Sequence, residues 1–381
     1  MQRYLSKLIA DTPKSKITLL SGPRQIGKTT LVRELFDEHV YLNWDNLDHR
    51  RTILDRSWSR TSPCVILDEI HKMPRWKSWL KGVYDVDKDK QRFVVTGSAR
   101  LNTYRKVGDS LAGRFFAYTL LPVDLEEALS WYPGQTATAL VERLCMLSGF
   151  PEPFIAGDEP FYKKWRKSHL DIVVRQDLID LKTVHEIVKV ELLIEHLRSS
   201  VGSPVSFKAI SEDLQVSDNT VKSWVQLLED LYVIFRVVPY GKNIQRAIQK
   251  APKIYFYDLP LVAPAGEGAV FENLVALSLL KAATFWNESG YGEYELRYLR
   301  NKDGAEIHFL ILKDKRPSLL LEAKSSDAQP SKHFKVFGKY LPGIRALQIV
   351  GSLDSDRDYP FGVGVRQATK WLAAAKEEIR S

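Results

Sequence analysis

Nine residues, Gly22-Pro23-Arg24-Gln25-Ile26-Gly27-Lys28-Thr29-Thr30, carry two glycines, a lysine and two hydroxyls at the G-x-x-x-x-G-K-T spacing of a P-loop. Glycines let a backbone curl until successive N–H groups point inward, which makes a nest for phosphate oxygens. A lysine at position 28 reaches the outer phosphates, and the Thr29 hydroxyl suits Mg²⁺. A second chemical signal is Asp68-Glu69, two acids closing the apolar run Cys64-Val65-Ile66-Leu67. Asp68 is a candidate Mg²⁺ ligand, directly or through water, and Glu69 a candidate for polarising the attacking water. Together they predict a nucleotide site that uses ATP and Mg²⁺.

The elements needed to hold these groups are legible around them. Lys16–Leu20 reads as a strand, and Leu31–Phe36 as the helix whose N-terminal partial positive charge completes the phosphate site. Val40–Trp44 and Arg92-Phe93-Val94-Val95-Thr96-Gly97-Ser98 read as further strands, with Thr96 or Ser98 placed at a strand tip to meet a phosphate or water. Trp76–Val83 reads as a helix and Arg114–Leu120 as a last strand. Strands alternating with helices predict a parallel sheet wrapped on both faces, with ligands at the carboxyl ends of its strands.

These motifs resemble the AAA-type P-loop ATPases, and most of all the bacterial and archaeal group with a C-terminal domain of poorly known role. The resemblance rests on Gly22–Thr30, Leu67-Asp68-Glu69-Ile70, Thr96-Gly97-Ser98, and Ser110-Leu111-Ala112-Gly113-Arg114 followed by Leu121-Pro122-Val123. It implies ATP hydrolysis with Lys28, Glu69, Ser98 and Arg114 in the catalytic set. Ser98 takes the sensor position. Arg114 completes the γ-phosphate site from its own or a neighbouring subunit, with Arg100 second. It also implies a homo-oligomer, a hexamer among the possible forms. The core is expected over residues 1–120 and a helical lid over 121–184, where Arg175 is one further arginine for the nucleotide.

Residues 185–262 change character. Phe207–Leu214 and Asp218–Glu229 read as two helices joined by a short turn, with Ser217 as N-cap and Val221, Trp224, Val225 and Leu228 on one face. With Leu231–Val238 and Lys253–Tyr257 as paired strands, this pattern predicts a winged-helix-like domain. Its outward face would offer Asn219, Thr220, Lys222, Ser223 and Gln226 to DNA. The basic linker Gly241–Pro252, with Lys242, Arg246, Lys250 and then Lys253, is expected to contact phosphates.

Residues 263–381 form a second α/β unit whose order resembles the restriction-endonuclease-like PD-(D/E)XK fold. Glu322 and Lys324 match its E-x-K pair, and Glu272 its helix glutamate. The acid position holds His308. Glu306 faces the same way but lies roughly 7 Å along the strand, and imidazole is a poor Mg²⁺ ligand. The expectation is a degenerate nuclease-like site used for binding, with an ATP-gated nuclease as the alternative.

With 381 residues, 44% of them apolar, the chain is long enough for several cores. Two cysteines exclude a disulfide framework, Met1–Tyr4 lacks a signal-peptide h-region, and no membrane span is expected, so a cytoplasmic setting is expected. A net charge of +8 favours a polyanion, and DNA is the expected partner. A nucleotide-controlled switch acting on a protein partner is the rival.

Overall fold

The structure is a computed structural model that describes residues 1–97, 111–173, 186–241, 251–326 and 329–380. Its contacts divide the chain into two compact units. One comprises Met1–Pro122 with Asp230–Tyr232, and the other Val123–Glu229 with Val233–Ser381.

The first unit is built on five parallel strands: β1 (Ile17–Ser21), β2 (His39–Asn43), β3 (Cys64–Asp68), β4 (Arg92–Thr96) and β5 (Phe115–Thr119), in the order β2-β3-β4-β1-β5. Every residue of β1 and β3 is buried, as continuous apolar strands of a two-sided parallel sheet require. On one face Leu19, Val65, Leu67, Phe93 and Val95 pack with Trp58, Trp76, Leu80 and Tyr84. The Trp76–Asp87 helix forms because Trp76, Leu80, Val83, Tyr84 and Asp87 recur at helical spacing and bury one side. The Leu47–Asp55 helix starts where the Asn46 side chain accepts from the amides of Asp48 and His49. Because β1 lies between β4 and β5 while the chain runs on to the far edge at β2, a crevice opens at the carboxyl end of β1.

The second unit carries the helices Leu125–Trp131, Ala137–Leu147, Pro151–Ala156 and Glu159–Asp171, then Ile187–Ser199, Phe207–Asp213 and Asp218–Asp230. The last of these buries Val221, Trp224, Val225 and Leu228, and the Ser217 hydroxyl accepts from the Thr220 amide at 3.0 Å. An eight-stranded sheet follows: β6 (Ile234–Pro239), β7 (Lys253–Phe256), β8 (Tyr294–Arg300), β9 (Glu306–Lys313), β10 (Arg316–Lys324), β11 (Arg345–Val350), β12 (Arg357–Tyr359) and β13 (Val363–Gln367). Their order is β12-β13-β11-β10-β9-β8-β6-β7.

Two sequence expectations change here. Strands β6 and β7 do pair antiparallel, but they are not a free-standing wing. Val238 and Pro239 also pair in parallel with Arg297 and Tyr298, so one sheet runs across the boundary expected at residue 262. Backbone groups at the edge of a short hairpin need partners, and β8 supplies them. The second concerns the Glu267–Glu288 helix, which is long and apolar enough, by length and composition alone, to cross a membrane. Its burial is internal. Glu272, Asn273 and Lys281 are all buried on it, and each bonds to groups of the same unit.

Candidate functional site

Strand β1 delivers the chain to Gly22, whose φ of +147° only glycine adopts readily, and a Cβ there would stand 2.3 Å from the Leu120 carbonyl oxygen. Gln25 and Gly27 are left-handed, at φ +58° and +88°, and the Lys28–Leu35 helix begins immediately after. Alternating backbone handedness of this kind gathers amides into a concave nest at a helix N-terminus. Pro23 and Ile26 are buried, Arg24 is half-buried, and Gln25 and Thr30 are exposed. Buried Arg3 donates to the Ile26 carbonyl at 2.9 Å and to the Leu121 carbonyl at 2.6 Å, tying the loop to the N-terminal segment. The Lys28 ammonium donates to the carbonyls of Pro23 (2.6 Å) and Gly22 (3.1 Å), which holds its charge over the loop.

Asp68 ends β3 opposite this loop and is almost fully buried. Its Oδ2 accepts from Thr29 Oγ1 at 3.0 Å and Tyr41 Oη at 2.7 Å, and its Oδ1 accepts from Thr96 Oγ1 at 2.6 Å. Three hydroxyls on one carboxylate fix its position. Burial, then the hydrogen bond to Asp68, pushes the Tyr41 phenol up to about 12, so Tyr41 remains a donor. Glu69 adopts φ +56°, its amide donating to the Thr96 carbonyl at 3.0 Å. Its Oε2 is buried without a hydrogen-bond partner, 3.3 Å from Lys72 Nζ and 3.6 Å from His71 Nε2. A left-handed non-glycine residue with a buried carboxylate oxygen is the sort of strain that functional sites carry.

The loop's nest, the Lys28 charge and the oxygen donors Thr29 and Asp68 fit a nucleotide triphosphate with Mg²⁺, a hard cation that takes oxygen ligands. Ser98, Arg100 and Arg175 lie outside the described residues. Arg114 is placed elsewhere. It precedes β5 beside Ile17, at the amino end of the sheet, whereas the loop follows Ser21 at the carboxyl end. Four strand residues separate the two levels, about 13 Å. Arg114 Nε pairs with Asp85 at 3.0 Å. Tyr41 and Arg3 escaped sequence reasoning. Tyr41 stands two residues before the end of the strand that neighbours β3, which is the only signal it gives.

The second cluster lies within the other unit. Glu272, Glu306, His308, Glu322 and Lys324, read as a degenerate nuclease-like site, converge, and Lys253 stands among them. Lys253 is fully buried at the start of β7, its ammonium 3.1 Å from Glu272 Oε1 and 2.6 Å from Glu306 Oε1. The expectation that Lys253 contacts phosphates is thereby corrected, because burial closes it to any outside ligand. Tyr255 donates to Glu272 Oε1 at 2.7 Å, and Arg300 to Glu306 Oε2 at 2.9 Å. His308 lies 3.5 Å from both Glu272 and Glu322, its amide donates to Glu322 Oε2 at 3.0 Å, and its Nδ1 accepts from the Ala323 amide at 3.3 Å. Lys324 stands 3.3 Å from Glu322. Burial is the main force lowering the His308 imidazole from the ordinary 6.5 to about 4, so it is neutral at pH 7. The one sequence hint of Lys253 was a charge opening the wholly apolar run Ile254–Phe256.

Residues 14–129 match the family model of the AAA domain. The N-terminal unit is thus an AAA-type, ATPase-like domain. Residues 138–266 and 267–369 match two models described as domains of unknown function, DUF8612 and DUF4143. An uncharacterised protein of Methanocaldococcus jannaschii is 21% identical over 87% of this chain and 80% of its own length. An uncharacterised protein of Mycobacterium tuberculosis is 24% identical over 82% of this chain and 74% of its own. Among solved structures, a variant of Thermotoga maritima RuvB is 18% identical over 64% of this chain and 92% of its own, at a TM-score of 0.32. A DNA replication initiation factor is 14% identical over 59% and 86%, at 0.31.

Proposed function

We propose that the N-terminal unit binds ATP with Mg²⁺ and hydrolyses it, and that turnover serves an action on DNA, branched or end-bearing. The observation that carries the nucleotide reading is Asp68 held by Thr29, Tyr41 and Thr96 directly opposite the Gly22–Thr30 loop. The amides of that loop and the Lys28 ammonium bind and orient phosphates, and Thr29 and Asp68 are the oxygens that would hold Mg²⁺. The ion would supply charge neutralisation to the phosphate oxygens. Glu69 is the group that accepts the proton of the attacking water, its buried Oε2 lying 3.3 Å from the Lys72 ammonium. Thr96 and Tyr41 keep Asp68 from turning. The DNA reading is supported by the net charge of +8 and by the exposed Asn219, Lys222 and Ser223 on the Asp218–Asp230 helix.

The test is ATP turnover measured alone and with single-stranded, duplex and four-way-junction DNA. Glu69→Gln is expected to lower turnover by about 100-fold or more. Stimulation by one DNA form, absent in Glu69→Gln, is the result expected. Turnover indifferent to all three leaves the ATPase and removes DNA.

A second reading, a nucleotide-controlled switch acting on a protein partner, has its own observation. Lys222 pairs with Asp218 at 2.5 Å, and Gln226 accepts from Arg236 at 2.6 Å. The Thr220 hydroxyl shares a hydrogen bond with that of Ser217 at 2.8 Å, so three of the five side chains expected to read DNA are engaged within the chain. Turnover without DNA stimulation favours this reading.

A further inference from the structure

We infer that the Lys253 ammonium is the resident cation of the C-terminal carboxylate cluster, standing where the nuclease-like resemblance calls for a divalent metal, and that the native chain therefore takes no Mg²⁺ or Mn²⁺ there. The inference is independent of the nucleotide site. Two acids from distant elements, Glu272 on the Glu267–Glu288 helix and Glu306 at the start of β9, meet on one fully buried nitrogen. Bridging of carboxylates by a single positive centre is what a metal would do in the same place.

The local charges already balance. Glu272, Glu306 and Glu322 bring three negative charges, and Lys253, Arg300 and Lys324 bring three positive ones. His308 is neutral at pH 7. A divalent ion added to this set would leave two uncompensated charges in a desolvated site, at a cost its ligation would have to overcome. Five of the six carboxylate oxygens are engaged as well, Glu322 Oε1 by Lys324 at 3.3 Å. Glu272 Oε1 takes Lys253 and Tyr255, Glu306 takes Lys253 and Arg300 on separate oxygens, and Glu322 Oε2 takes the His308 amide.

Lys253 has no room to withdraw. It lies within the β7 strand, over the Tyr298 ring at 5.6 Å. The backbone at Gly202 closes over Glu272, near enough that a Cβ there would meet its carboxylate at 3.0 Å. His308 in the acid position completes the disagreement with a magnesium site, since hard cations prefer oxygen. The residues present do not fit the ion.

The test uses the full chain without nucleotide, with Mn²⁺ as probe, read by the electron spin resonance of free Mn²⁺ and by thermal unfolding. Wild type and Glu322→Gln are expected to bind the same amount of Mn²⁺, any weak binding at Asp68 being common to both. Lys253→Met is expected to unfold at a lower temperature and to gain one Mn²⁺ per chain. That ion raises its midpoint by about 2–4 °C, and both effects vanish in Lys253→Met with Glu322→Gln. Lys253→Gln is the companion variant, and the wild-type comparison stands whichever of them folds. Wild-type Mn²⁺ binding that disappears in Glu322→Gln overturns the inference, as does a folded Lys253→Met that gains no metal.

Discussion

Burial lowers His308 from 6.5 to about 4, against the pull of Glu322, and that shift ties stability to pH. The unfolded chain binds a proton near pH 6.5 and the folded chain only near pH 4. The contribution is therefore complete above pH 6.5 and is lost as pH falls from there toward 4. Between pH 7 and pH 5 the loss is about 2 kcal/mol, at 1.36 kcal/mol per pH unit. Denaturant unfolding at the two pH values should show it, and His308→Gln should flatten the difference. A pH dependence equally steep in the variant would assign it to the neighbouring carboxylates. At this scale the sequence exposed chemistry but not company. Lys28, Thr29 and Asp68 declared themselves through spacing, whereas Tyr41 reaches Asp68 only because β2 and β3 are adjacent, and Lys253 reaches Glu306 across more than fifty residues of chain.

The turn between β1 and the Lys28–Leu35 helix is a case where one element admits one residue type. At Gly22 both the backbone angle and the 2.3 Å approach of Leu120 exclude a side chain. Gly22→Ala is predicted to cost roughly 1–3 kcal/mol from backbone strain alone, and the collision adds to it. Loss of ATP-analogue binding together with a lower unfolding midpoint is the expected outcome, and a variant that binds normally would show that the loop relaxes without cost. Elements with strong periodicity were readable in advance. The apolar positions of Trp76–Asp87 and Asp218–Asp230 point one way whatever the context, because helix geometry alone puts them on one face. The β6–β7 pair was readable as a hairpin but not as part of the larger sheet, since nothing in a strand's own sequence names its second neighbour.

On the scale of the whole molecule, Arg114 at the amino end of the parallel sheet is remote from its own loop, so the expected contact with a γ-phosphate requires a neighbouring copy. A guanidinium supplied in trans is worth several powers of ten in phosphoryl transfer. Arg114→Ala is accordingly predicted to lower turnover about 10-fold or more while leaving ATP-analogue binding intact. Mixing it with Glu69→Gln should recover activity that neither has alone, because mixed assemblies contain some intact sites. No recovery, in a preparation that sedimentation shows to be oligomeric, would remove Arg114 from the site.

Local sequence was enough to read the glycine-flanked loop after β1, the acids facing it and the parallel architecture beneath them. Each of these follows from local rules: spacing, backbone permissiveness at glycine, and the continuous apolar run of a strand buried on both sides. That Asp68 is held by three hydroxyls from three elements follows from packing and not from local rules. Packing also set Arg114 at the amino end of its sheet and closed the C-terminal carboxylates around a lysine. Those outcomes depend on which distant segments become neighbours, and on how much water is left between them once they have.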